Sequence, residues 1–113
     1  MTLWCVPYAL HLITGKTYLE CLDLIKQDLG DQPIEGVYLP IALGVLERLG
    51  YKCDAVRADL SLKHYSHFDK LYLIEIPGHA LVMKKGKMYD NHSPRGTNKY
   101  YHARTVRVFQ VYK

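Results

Sequence analysis

Residues 71–91 read LYLIEIPGHALVMKKGKMYDN, and three extended segments are written into them. Leu71 to Ile76 is dense in Leu, Ile and Tyr, as a well-buried strand would be. Pro77-Gly78 breaks it. Ala80 to Met83 and Lys87 to Asp90 then flank Lys84-Lys85-Gly86, a hairpin signal. With the turn at Lys85-Gly86, Lys84 faces Lys87, Val82 faces Tyr89 and His79 faces His92. That register puts the side chains of His79 and Asp90 on one face as diagonal neighbours. Asn91 would point the other way, and a three-residue loop would reverse the choice. The two-residue turn favours Asp90, and Asn91 is the alternative.

Further strands lie on either side of this block. Tyr51 to Arg57 is one candidate. Arg104 to Tyr112 alternates Val106, Val108, Gln110 and Tyr112 against Arg107, Phe109 and Val111. The first half of the chain is helical instead. Val6-Pro7 allows a helix to begin near Cys5, because proline is tolerated in a first turn. Tyr8, Leu10, Leu12 and Ile13 make that helix largely apolar, and Thr14-Gly15 ends it. Thr17 and Glu20 form a capping box. Leu19, Leu22, Ile25 and Leu29 follow at helical spacing, and Gly30 closes the segment. Asp31 to Pro33 reads as a turn. Pro40 to Leu49, stopped by Gly50, reads as a third helix. Helices followed by an antiparallel sheet define an α+β domain, here a single one over residues 1–113.

Composition narrows the function classes. No run approaches the ~18 apolar residues of a membrane helix, and no signal-peptide pattern opens the chain. The expected location is cytoplasmic or virion-associated, with no membrane partner. The three cysteines Cys5, Cys21 and Cys53 are odd in number and contain no CxxC pair, which argues against a disulfide framework and a four-cysteine zinc site. His64 and His67 form an HxxH-like pair but need further ligands, so no metal and no cofactor is expected. The formal charge of +4 is mild. Arg95, Lys99, Tyr100, Tyr101, Arg104 and Arg107 interleave basic and aromatic residues as single-stranded nucleic-acid binders do. A loop feeding an edge strand with protective charges is the commoner cause, and nucleic acid is not an expected partner.

The chemistry concentrates at three positions. Cys5 opens a helix, where the macrodipole and free backbone N–H groups favour a thiolate. The same groups can hold an oxyanion. His79 opens a strand, and an imidazole beside a thiol serves as base and then acid. Asp90 closes the next strand, where a carboxylate can orient that imidazole. The alternative for Cys5 is a small core hydrophobe, which is also the reading for Cys21 and Cys53. Asp90-Asn91-His92 before Ser93-Pro94 also fits a simple turn.

The order WCVPYAL, YLPIALGVLERLGYKCDAV, LYLIEIPGHALVMKKGKMYDN resembles the papain-like cysteine peptidases, specifically the bacteriocin-processing type that cleaves after a double-glycine leader. The resemblance covers roughly residues 4–92. It rests on Cys5 with its helix, Leu49-Gly50-Tyr51, Gly78-His79 and Tyr89-Asp90. It implies a papain-like fold, with the cleft between the first helix and the strands around residues 79–91. It also implies Cys5 as nucleophile, His79 as general base and Asp90 as orienting acid, acting on a peptide or protein substrate. Two departures stand out: no glutamine lies within Met1 to Trp4 to supply the family's oxyanion donor, and Val6 replaces the usual glycine. The expected function is a thiol hydrolase, in particular a peptidase. The alternative is a weak or inactive papain-like module that binds a protein partner within a larger assembly. The short segment before Cys5 suggests a compact form such as a phage or mobile-element protein.

Overall fold

The computed structural model describes residues 4–30, 39–66 and 69–113. Three helices come first: α1 (Cys5–Thr14), α2 (Tyr18–Leu29) and α3 (Leu39–Arg48). Their ends have local causes. Pro7 occupies the first turn of α1, where its missing N–H costs no helical bond. Gly15 stops α1 in the left-handed region, its N–H returning to the His11 carbonyl. Thr17 and Glu20 form both halves of the capping box that starts α2. The Asp31–Pro33 turn lies outside the described residues.

The rest of the chain is β1 (Lys52–Val56), a short helix α4 (Leu62–Tyr65), β2 (Leu71–Ile76), β3 (His79–Lys84), β4 (Lys87–Asp90), β5 (Ser93–Thr97) and β6 (Arg107–Tyr112). The strands form one antiparallel sheet in the order β1-β6-β2-β3-β4-β5. The α+β arrangement and the hairpin register follow the sequence reading: Lys84 faces Lys87 and Val82 faces Tyr89.

Both faces of the sheet are covered. Leu73, Ala80, Val82 and Val111 face α1, α2 and α3, packing with Val6, Leu10, Ile25 and Leu46. Tyr72, Ile74, Ile76, Leu81, Met83 and Val108 face the other way, under Leu62 and Tyr65 of α4. A sheet buried on both faces reads as near-continuous apolar runs, which is why β2 lacks polar alternation.

Three expectations are corrected. β6 is central, between β1 and β2, so its charges do not protect an edge. It begins at Arg107, because Arg104 makes only an isolated bridge to Ser61. Ser93–Thr97 is a strand rather than loop; it lies at the sheet's edge, where a Ser-Pro-Arg-Gly-Thr sequence is tolerated. Among the described residues no helix is long and apolar enough to cross a membrane.

Candidate active site

The site forms where α1 begins and β3 begins. Cys5 is the first residue of α1 and is half-buried. Its thiol hydrogen-bonds the backbone N–H of Ala80, with the N–H groups of Cys5 and Val6 also favouring the charged form. The Ala80 amide is free for this by strand geometry. Ile76 and His79 close the Pro77-Gly78 turn as a pair, so the next N–H, that of Ala80, points toward β4. The ladder with β4 extends only to Val82 and Tyr89, and the thiol takes the vacated place.

His79 is oriented by Asp90. Nε2 of the ring lies 2.8 Å from Asp90 Oδ2. The Asp90 side chain is only 1% exposed and that of His79 15%. The other carboxylate oxygen, Oδ1, accepts the His92 N–H at 3.0 Å. Ser93 and Tyr100 hydroxyls also donate to the carboxylate. Burial pushes the Asp90 carboxyl up, but hydrogen bonds from His79, His92 and Ser93 and the His79 charge outweigh it. The net result is a carboxyl held below its ordinary range. A carboxylate accepts only, so Nε2 carries the proton and Nδ1 of a neutral ring is the acceptor. The Tyr100 ring lies 5.2 Å from the imidazole, and His92 stacks beside it at 6.3 Å.

The register therefore selects Asp90 over Asn91, whose amide Nδ2 lies 3.4 Å from His92 Nε2. By strand alternation His79 and Asp90 project to the α4 side of the sheet, while Cys5 arrives from the α1 side. Thiol and imidazole are neighbours through one residue of β3 rather than hydrogen-bonded partners.

That arrangement reverses one expectation. The Cys5 thiol is pushed up, not down: burial dominates over the three backbone N–H groups, and the Asp90 charge adds to the upward push. Burial thus holds the thiol toward its neutral form. Cys21 is buried and Cys53 half-buried in the same core, as expected of structural thiols.

Tyr100 is a site residue that sequence reasoning assigns elsewhere. Composition groups it with a basic, base-stacking segment, yet its hydroxyl bonds Asp90. Tyr100 and Tyr101 are both half-buried against the α4-side core. Arg104 pairs with Asp59 at 3.2 Å and Arg107 with Glu75 at 3.6 Å. No sequence signal links Tyr100 to Asp90, because β5 and a turn intervene. Among the described residues no group of three or more His, Cys, Asp or Glu side chains is placed to hold a metal; His67 lies outside them. Compared with known proteins, the chain matches no family model, no curated protein and no solved structure.

Proposed function

We propose that this protein is a papain-like thiol hydrolase of the type its sequence resembles, cleaving a peptide or amide bond. One observation carries the reading. A cysteine at a helix start hydrogen-bonds the residue after a histidine that a buried carboxylate orients. In the reaction, Nδ1 of His79 takes the Cys5 proton through one bridging water as sulfur attacks the carbonyl carbon. The tetrahedral intermediate collapses when the imidazolium protonates the leaving amine, leaving a thioester on Cys5. Water, deprotonated by His79, then releases the acid and regenerates the thiol. Because burial pushes the thiol up, His79 acts as a general base during attack. Catalytic contacts of this kind commonly tighten only when substrate binds.

The oxyanion donors are the N–H groups at the start of α1. The Tyr18 hydroxyl accepts the Trp4 N–H at 2.9 Å, which leaves the phenolic hydrogen at the helix start as a candidate side-chain donor.

The test is acylation by p-nitrophenyl acetate. The expected result is an acetyl group on Cys5, found by mass spectrometry, with Cys21 and Cys53 unmodified. His79→Ala should slow this by about 10²-fold or more. Equal acetylation of all three thiols, or no effect of His79→Ala, would overturn the enzyme reading. The raised thiol favours a second reading, a partner-binding module without turnover, which predicts that outcome.

A further inference from the structure

A second feature lies on the α1 face of the same hairpin. Leu12, Val82 and Tyr89 floor a trough of about 480 Å³, and Lys84, Lys85 and Lys87 form its rim. Val82, Lys84, Lys87 and Tyr89 share this face because Val82 pairs with Tyr89 and Lys84 with Lys87. Among the described residues none of the three lysines has an ion-pair partner.

Two features here run against local stability. Lys84 and Lys87 stand directly opposite each other, a placement that destabilises a strand pair when both side chains are cationic. Lys85 holds a left-handed backbone with φ 51°, which is costly for any residue with a Cβ. The tip is also held in place. The Lys85 N–H reaches the Lys70 carbonyl at 3.3 Å. A Cβ on Gly86 would come 2.6 Å from the Ser66 carbonyl oxygen. Three uncompensated cations over an apolar floor complement a ligand with carboxylates beside an apolar side chain.

We infer that this trough binds an acidic peptide segment, seating one aliphatic residue on Leu12, Val82 and Tyr89 and its flanking carboxylates on the lysines. On the hydrolase reading above, which this placement deepens, the trough is a substrate subsite. Lys84 lies four positions along β3 from Ala80, where the thiol docks, a run of about 13 Å. An extended substrate would therefore place its acidic residues roughly four positions from the cleaved bond.

Binding is tested on the Cys5→Ala protein, so turnover plays no part. Fluorescein-labelled Gly-Leu-Glu-Glu-Gly is compared with Gly-Leu-Gln-Gln-Gly and Gly-Gly-Glu-Glu-Gly. The expected result is that the first binds at least about tenfold more tightly than either. The Lys84→Gln, Lys85→Gln, Lys87→Gln triple variant should lose the preference while keeping its circular dichroism spectrum. Equal affinity for the Gln peptide, or unchanged binding by a folded triple variant, would overturn the inference. So would displacement of the acidic peptide by oligothymidylate at equal concentration. Selective peptide binding without acetylation of Cys5 in the wild-type protein would uphold the trough and remove the hydrolase reading. Acetylation without selective binding would do the reverse.

Discussion

Asp90 Oδ2 lies 2.8 Å from His79 Nε2 across eleven residues of chain, with the carboxylate almost wholly buried. An acceptor-only partner dictates which ring nitrogen carries the proton. Replacing it removes that constraint. Asp90→Ala is expected to slow acetylation of Cys5 by about 10²-fold or more, and Asp90→Asn by less, since its amide oxygen still accepts from Nε2. Initial rates of p-nitrophenol release check both. Identical rates in all three proteins would show that the pair is structural.

The same carboxylate predicts acid sensitivity. Its folded-state value is lowered, so the unfolded chain binds its proton more readily. The stabilisation is complete above the ordinary carboxylate range and is lost as pH falls through the lowered value. Melting temperatures of the wild type and Asp90→Asn should therefore converge as pH falls through the ordinary carboxylate range and below it. Curves that stay parallel through that window would contradict the assignment.

Cys5 should show the opposite limb. With the thiol raised by burial, alkylation by iodoacetamide is expected to keep accelerating above the ordinary thiol range. A plateau near neutral pH would indicate a preformed thiolate instead. Because Cys5 is only half-buried at the rim, Cys5→Ala should change stability by under about 2 kcal/mol, the lower bound for cavity-forming core truncations.

Tyr100 meets Asp90 through its hydroxyl. Tyr100→Phe deletes one hydroxyl donated to the carboxylate, a hydrogen bond to a charged group worth about 1.5–3 kcal/mol. The acid limb of the melting curve should move to higher pH and the acetylation rate should fall. A shifted melting curve with an unchanged rate would confine Tyr100 to stability.

Leu10 joins α1 to the sheet and is fully buried. Leu10→Ala should cost about 2–5 kcal/mol and loosen the seat of Cys5 on Ala80. Chemical denaturation measures the first effect and the Cys5 acetylation rate the second.

The strongly patterned elements are legible in the sequence alone. Apolar spacing, the Thr17–Glu20 box and the glycine stops define the helices, because these are interactions within one or two turns of chain. The Lys85-Gly86 turn determines the hairpin register, and with it the choice of Asp90 over Asn91. Such decisions depend on short-range geometry, which local sequence encodes.

Tertiary structure alone decides the rest. The central place of β6 and the existence of β5 arise from pairings between distant segments, which no local period announces. The upward push on the Cys5 thiol is set by how α1 packs on β3, since desolvation outweighs three backbone N–H groups there. Tyr100 reaches Asp90 because β5 and its following turn fold back over the α4 face. Burial and long-range contact are properties of the assembled chain, and they determine whether a helix-start cysteine begins as an ion or as a thiol.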